Sequence, residues 1–474
     1  MKSDIWREVC TFALQCIVPC GLLLISLVYV VAFFQQKRKY NHPPSCGRIP
    51  WIGCVLEFGA APLEFMGKKI EELGPLYTIH CMGQTLHVLT KPELYQTFFD
   101  SPNLDFEETV FDAITKAGLI NKALFIERHT KLYHAVKSAV SPLRSDHVSA
   151  TMCHKFREQC RQFINIGVET SLFDIIKKCM YLPIIQALYG DNVGFRNKEH
   201  YLKFMQAFER FDRDFELGVQ LPSIFTPKWK QARNYLLKFM ISKFDEESKR
   251  GHDLTLFDEL KIVTGEDAPN YAMMVMLAAL SNAVPVAFWT LAYVLSNERV
   301  NNKLRAELDE LLAENNYDFN PELNSADLKR LPYLSCCIQE ALRLCAEGVV
   351  GRRVVKDFKL MGYDVPKGGM VVLCPYWAHR DERFFPDPLT FTPERWESIP
   401  INRMSYKQGF IAFGGGKSQC PGRFFGYMVI QKCVASFLLQ YNCTAHSPVP
   451  KFSMQHLVGV QHPMEDFKVT CNYR

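Results

Sequence analysis

Phe413-Gly414-Gly415-Gly416-Lys417-Ser418-Gln419-Cys420-Pro421-Gly422-Arg423 is the stretch that decides how this chain is read. Three consecutive glycines let the backbone run where no side chain would fit. The apolar stretch Phe424 to Tyr441 follows and has helical character. Pro421 is expected at the first helical position, where a missing N–H costs nothing. Cys420 is thereby expected at a helix N-terminus, where free N–H groups and the helix dipole favour an anion. Such a setting lowers a thiol's pKa toward the thiolate. A thiolate beside a glycine-lined gap suits the proximal side of a haem iron. With 17 cysteines in the chain, a lone cysteine says little. The spacing Phe-x-x-Gly-x-x-x-Cys-x-Gly carries the reading.

Around this loop lie 474 residues, 48% of them hydrophobic, enough for a large core or a deep apolar pocket. The net charge of +5 is mildly basic, far from the clustered excess of a nucleic-acid binder, so no nucleic acid is expected as a partner. A basic face toward an acidic protein or an anionic lipid fits the charge. The cysteines form neither a short secreted framework nor paired C-x-x-C motifs for zinc. Adjacent Cys336 and Cys337 sit in a helical pattern and read as buried thiols in a reducing, cytosolic setting.

Thr11 to Phe34 carries no charge. As a helix it would span about 36 Å, enough for a bilayer core of about 30 Å. Lys37-Arg38-Lys39 follows at once, which places the downstream chain in the cytosol by the positive-inside rule. A cleaved signal would have a shorter apolar core with charges before it. Pro43-Pro44 stiffens the exit. The sequon at Asn442 and Thr444 should go unused in this topology. The expected organisation is an N-terminal membrane anchor, residues 1–40, and a single domain, residues 41–474, with no repeats.

Tyr77 to Leu89 reads as a hairpin of two short strands. Helical patterns fill about 130–345, among them Tyr201–Phe215, Tyr271–Ser296, Val300–Glu314 and Ser325–Leu344. Residues 352–375 read as short strands, and Ala378 to Pro400 as ordered loop. The fold class expected is mainly α with small β-sheets.

Glu340 and Arg343 stand three apart, on one helix face, as an ion pair. Apolar neighbours imply that the pair is buried, and a buried pair needs further hydrogen bonds. Arg395, in Pro393-Glu394-Arg395-Trp396, is the candidate third member. With Glu-x-x-Arg, Pro-Glu-Arg-Trp and the cysteine loop in this order and spacing, the chain resembles a membrane-bound cytochrome P-450. His379-Arg380-Asp381 and Tyr363-Asp364-Val365-Pro366-Lys367-Gly368 fit the same pattern, and the resemblance runs from about residue 43 onward. It implies the cytochrome P-450 fold behind an N-terminal transmembrane helix, with haem b (iron protoporphyrin IX) bound axially through Cys420. It also implies that Glu340, Arg343 and Arg395 hold the haem-side core together.

Pro285 interrupts the apolar helix at Ser281-Asn282-Ala283-Val284-Pro285 and removes the partner of the Ser281 carbonyl. In the family this helix crosses the haem with an acid followed by threonine. Here Asn282 takes the threonine position and no carboxylate precedes it. An amide can orient water but is no general acid at neutral pH, so Ser281 and Asn282 are the catalytic candidates, with protons moving through ordered water. Asn282, Phe288-Trp289 and Ser418 resemble the branch of sterol 7α- and 12α-hydroxylases and prostacyclin synthase. The segments Trp51-Ile52-Gly53, Pro62-Leu63-Glu64-Phe65 and His456-Leu457-Val458-Gly459-Val460 point to the oxysterol 7α-hydroxylases within it.

The resemblance makes Phe413, Gly416 and Gly422 haem contacts. It makes Arg352 or Arg353 the cation for the propionates, with His129, Lys131 and Lys137 as substitutes for an absent Trp-x-x-x-Arg. Residues 103–126 and 205–225, with Phe111, Ile114, Phe125, Phe211, Phe215 and Leu221, fall in the family's substrate regions. A sterol pocket must be long and apolar with few polar groups.

The implied reaction is O₂-dependent hydroxylation of an unactivated C–H bond, namely 7α-hydroxylation of 24-hydroxycholesterol in the conversion of cholesterol to bile acids. A thiolate ligand favours O–O cleavage. No flavin or nicotinamide fingerprint is present, so electrons are expected from NADPH through NADPH–cytochrome reductase at the endoplasmic reticulum membrane. The alternatives are isomerisation of a lipid endoperoxide, which needs neither O₂ nor reductase, 12α- or 7α-hydroxylation of another sterol, and a non-catalytic haem carrier.

Overall fold

Hairpin geometry follows the alternation read between Tyr77 and Leu89. In a computed structural model of the chain, eleven strands are present among the described residues. They are β1 (Ser45–Cys46), β2 (Leu76–Cys81), β3 (Gln84–Leu89), β4 (Leu104–Asp105), β5 (Glu169–Ser171), β6 (Val350–Val354), β7 (Phe358–Leu360), β8 (Tyr363–Val365), β9 (Met370–Leu373), β10 (Tyr441–Ala445) and β11 (Lys468–Tyr473). The structure describes residues 19–21, 23–27, 30–31, 41–47, 49, 52–247, 255–398, 409–453 and 457–474.

Two units divide the chain. The first draws on residues up to Lys91, Pro102–Asp105 and Gly351–Leu373. Its six-stranded sheet has the order β1-β2-β3-β9-β6-β4, with β7 and β8 as a separate pair. β2 and β3 are antiparallel with Leu76 opposite Leu89, and Met82-Gly83 make the turn, both at positive φ. β9 then joins β3 in parallel. The strand reading of 352–375 is thus realised as four short strands.

Pro92–Ser101, Phe106–Val350 and Cys374–Arg474 form the second, helical unit. Its only sheet among the described residues is β10-β11-β5. A central helix, Ala268–Leu295, runs uninterrupted through Pro285 and is apolar on nearly every side. Leu280, Phe288, Trp289 and Leu291 are essentially sealed from solvent. Each such side chain contributes about 1.5–3 kcal/mol on burial. By length and composition this helix could cross a membrane, but its burial makes it the interior of the helical unit.

Boundaries differ from the sequence expectations where proline or glycine intervenes. Ser325–Leu344 is two helices, Ser325–Lys329 and Pro332–Cys345. Pro332 lacks the N–H that would continue the first and starts the second. Tyr201–Phe215 becomes Lys198–Arg213 followed by a short helix, Phe215–Gln220. The expected loop at 378–400 holds one short turn of helix, Pro393–Trp396. Cys336 and Cys337 are buried free thiols. The expected span Thr11–Phe34 falls mostly outside the described residues. Those described within it are helical, and Leu23, Leu24, Ile25 and Leu27 are exposed.

Candidate active site

Cys420 sits just before the helix Arg423–Gln440. Pro421 is not at its first position, as expected from the sequence. Gly422 takes the cap, with Pro421 one residue further out in a turn. The loop is closed by short-range bonds. The Cys420 N–H donates to the Phe413 carbonyl at 3.0 Å, and the Gly414 N–H to Ile411 at 2.9 Å. The Tyr133 hydroxyl donates to the Gln419 carbonyl at 3.0 Å, and Arg423 Nη1 to the Cys420 carbonyl at 3.3 Å.

The glycines divide by what surrounds them. Gly416 has φ +65°, and a Cβ there would lie 2.9 Å from the Phe99 carbonyl oxygen. It packs the loop against the helix Tyr95–Asp100, so its Cβ side is filled by the chain itself. Gly414, Gly422 and Gly426 have open space where a Cβ would stand. Phe413 is half-buried and leans on the core. Cys420 remains partly exposed although closely surrounded.

Burial raises the Cys420 thiol above its ordinary pKa, against the Gly422 N–H and the Arg423 charge, which lower it. The lowering expected from the helix terminus is therefore overturned, because desolvation of the anion outweighs two partners. A cation at the sulfur supplies what the chain lacks, since metal coordination deprotonates a thiol outright. A partly exposed cysteine in a loop whose Gly414 and Gly422 have open space at the Cβ position fits a flat, iron-bearing macrocycle.

The same helical unit holds an ion cluster whose Glu340 and Arg343 are sealed from solvent and whose Arg395 is 12% exposed. Glu340 Oε1 accepts from Arg343 Nη2 at 2.7 Å, Arg395 Nε at 3.0 Å and the Thr392 N–H at 3.0 Å. Its Oε2 accepts from Arg343 Nε and Trp396 Nε1, both at 2.9 Å. Arg343 Nη1 donates to the carbonyls of His379 at 2.7 Å and Pro388 at 2.6 Å. The His379 ring is buried and held neutral by desolvation, with Arg343 and Arg380 adding to it. Its Nε2 accepts from the Ile411 N–H at 3.1 Å. His379 thus ties the cluster to the start of the cysteine loop. Trp396 and His379 stood in the motifs read from the sequence, but their bonds to the cluster, and that of the Thr392 N–H, arise from tertiary packing that no spacing shows.

The central helix has one open stripe in an otherwise buried stretch. Met274, Val275, Ala278, Ser281 and Asn282 are half-buried or exposed, at the spacing of one helix face. Asn282 Nδ2 donates to its own helix at the Ala278 carbonyl, 2.7 Å. Its Oδ1 lies 2.9 Å from where a Cβ on Gly459 would be. Ser281 Oγ donates to Asp212 Oδ1 at 2.6 Å. Ser281 thus meets a carboxylate borne by the helix Lys198–Arg213. Burial raises Asp212 to about 6, against the Ser281 bond, which lowers it. Asp212 Oδ2 also faces His462 Nε2 at 3.6 Å. A signal for Asp212 did exist. It stands four residues after Phe208 and next to Phe211, both buried, so it interrupts an apolar helix face.

The propionate candidates are placed differently. His129 Nδ1 lies 2.8 Å from Glu107 Oε1. Arg352 and Arg353 lie on β6 in the first unit. Arg352 is buried, lowered to about 10 by desolvation with Asp105 opposing, and donates to the Gly351 carbonyl at 2.9 Å. Arg353 donates to Gly368 at 3.1 Å. Of the substrate-region residues, Phe125 and Phe211 are sealed in the core. Phe211 stacks on Trp229 at 5.4 Å. Phe111, Ile114 and Phe215 are partly buried against the same core.

These features define a class. The chain belongs to the cytochrome P450 family, whose model, described as Cytochrome P450, matches residues 43–469. Within it, the chain is 32% identical to the human 24-hydroxycholesterol 7-alpha-hydroxylase, over 97% of this chain and 100% of that protein. The mouse protein of the same name is 33% identical over 96% of this chain and 98% of its own length. A Cricetulus griseus cholesterol 7-alpha-monooxygenase is 23% identical over 94% and 98%. Among solved structures, retinoic acid bound cyanobacterial CYP120A1 superposes with a TM-score of 0.75 at 18% identity, covering 92% of this chain and all of that one.

Proposed function

We propose that this chain is a haem-thiolate monooxygenase that hydroxylates an oxysterol, with 24-hydroxycholesterol attacked at the 7α position as the leading substrate. The observation that carries the chemistry is Cys420, partly exposed as a residue, in a loop whose Gly414 and Gly422 have open space at the Cβ position. The substrate rests on the near end-to-end similarity to proteins named for that reaction. Cys420 would hold the haem iron, and bound haem would supply O₂ activation and C–H hydroxylation. The chain's own residues do the rest. Gly414 and Gly422 leave room at the sulfur, and Phe413 covers the loop. Asn282 and Ser281 present polar groups on the open stripe of an otherwise apolar helix.

Residues 1–40 act as a single-pass anchor in the endoplasmic reticulum membrane, a reading supported by the exposed apolar helix residues Leu23, Leu24, Ile25 and Leu27. Residues 41–474 work as one cytosolic haem-binding domain. NADPH–cytochrome reductase supplies the electrons, within the conversion of cholesterol toward bile acids.

The test reconstitutes the full chain with haem, reductase, NADPH and lipid, and offers it a panel of oxysterols. Mass spectrometry should find a 7α-hydroxylated product, and Cys420→Ala should lose both product and the long-wavelength ferrous–CO band. Turnover of a lipid endoperoxide without NADPH, and no sterol product with it, would overturn the monooxygenase reading in favour of the isomerase.

A further inference from the structure

β10 and β11 bring two cysteines face to face. Cys443 and Cys471 are direct partners in the antiparallel register. On either side the strands exchange backbone bonds, the His446 N–H to the Lys468 carbonyl and the Arg474 N–H to the Gln440 carbonyl, both at 2.9 Å. Bonded and non-bonded pairs alternate along such a ladder. Counted from those bonds, Cys443 and Cys471 fall on a non-bonded pair, where the Cα atoms stand about 4.5 Å apart and the side chains lie closest. That separation is inside the range a disulfide bridges, about 4.4–6.8 Å. The Cys443 S–H donates to the Cys471 sulfur at 3.0 Å. Cys443 is partly exposed, and Cys471 is sealed.

We propose that Cys443 and Cys471 are an oxidative modification site, a dithiol that closes to a cross-strand disulfide by exchange with a small-molecule disulfide of the glutathione class. Cys443, the accessible sulfur, attacks as thiolate on one sulfur of the small disulfide, forms a mixed disulfide and expels one thiolate. Cys471 then gives up its proton, attacks the Cys443 sulfur and expels the second small thiolate. The protein thiols lose two electrons and two protons, and one small disulfide becomes two thiols. Excess small thiol runs the exchange backwards, as befits a disulfide in a reducing compartment, where such bonds are transient.

The surroundings support this division of roles. The thiols titrate as a pair. The S–H bond, with burial, raises Cys443, and Arg305 opposes. The same bond lowers Cys471 against its burial. Arg305 is fixed beside the start of β10 by the Leu438 and Tyr441 carbonyls at 2.8 and 2.9 Å. An anion on the pair thus has an S–H donor and a held cation. Cys160 and Cys179 are also neighbours, but both are sealed and give an exchange partner no entry. The chain between β10 and β11 folds back on the helical interior. The Gly348 N–H donates to the Gly459 carbonyl at 3.1 Å, the Val349 N–H to Leu457 at 2.7 Å, and Trp289 Nε1 to the Gln461 carbonyl at 2.7 Å. A covalent tie between the two strands fastens the root of that chain.

The test incubates the haem-loaded full chain with glutathione disulfide, quenches with acid, blocks free thiols and maps the peptides by mass spectrometry. The expected product is a linked peptide pair holding Cys443 and Cys471, with two of the chain's 17 cysteines lost to the thiol label and both recovered on reduction. Cys471→Ser should stop at the mixed disulfide on Cys443, and Cys443→Ser should leave Cys471 unmodified. In wild type, oxidation should raise the thermal midpoint, since the tie constrains the unfolded chain, and should slow hydrogen exchange over 457–467. Neither should change in Cys443→Ser. No linked pair in excess glutathione disulfide, linkage of Cys471 to any other cysteine, or linkage only after unfolding in denaturant would each overturn the site.

Discussion

Glu340 and Asp212 are both enclosed carboxylates in the helical unit, yet they are solvated by the protein in opposite ways. Glu340 accepts five hydrogen bonds, from Arg343, Arg395, Thr392 and Trp396. Asp212 accepts one short bond from a neutral hydroxyl and meets a histidine at 3.6 Å. A buried charge is tolerated when every lone pair is satisfied. Glu340 is therefore built to remain charged and to hold three segments in register. Asp212 has its charged form only partly compensated, so it can exchange a proton. Saturation marks a structural ion cluster, and its absence marks a group that can act.

The largest effect should come from emptying the saturated cluster. Glu340→Ala leaves Arg343 buried without its partner and should cost about 3–5 kcal/mol. The measurement is the denaturant midpoint of the purified chain, with haem content alongside. An unchanged midpoint would erase the contrast between the two carboxylates.

Asp212→Asn should do the opposite. The folded-state pKa of Asp212 is raised to about 6 from 3.8. Below pH 3.8 both folded and unfolded chains hold the proton and nothing is lost. As pH rises from 3.8 through 6, the unfolded chain gives up its proton first, and stability falls by about 3 kcal/mol. The asparagine variant escapes that fall and keeps an acceptor for Ser281. Its thermal midpoint should exceed wild type at pH 7.5 and match it near pH 4. A midpoint below wild type at both pH values would place Asp212 with Glu340, as a structural charge.

The two carboxylates also differ in how visible they were before folding. Glu-x-x-Arg and Pro-Glu-Arg-Trp are local spacings, so the ion cluster could be read along the chain. The hairpin, the central helix and the cysteine loop were legible for the same reason. Asp212 and Ser281 lie 69 residues apart, and no periodicity joins them. Pro421 and the thiol misled because helix-terminus rules describe an isolated helix. In the fold, Gly422 takes the cap and burial dominates the sulfur.

Within the cysteine loop the same contrast appears between two glycines. Gly416→Ala forces a side chain into positive φ against the Phe99 carbonyl, and should cost about 1–3 kcal/mol. Gly422→Ala has ordinary φ and open space, so the apo chain should unfold within about 0.5 kcal/mol of wild type. If Gly422 edges the haem, that variant should still lose affinity in a haem titration. Equal losses of stability in both variants would mean that the loop has no free edge.

The smallest effect belongs to His129, where sequence and structure part most clearly. It lies 2.8 Å from Glu107 Oε1 and edge-on to Phe125 at 4.9 Å. A propionate would have to displace Glu107 to reach it. An exposed pair of this kind contributes about 0–1 kcal/mol, and Glu107 is half exposed. His129→Gln should therefore move the thermal midpoint little and leave haem affinity within about twofold, under 0.5 kcal/mol by the usual conversion. A tenfold loss of haem affinity would reverse the assignment, returning His129 to the propionates and making Glu107 its second partner.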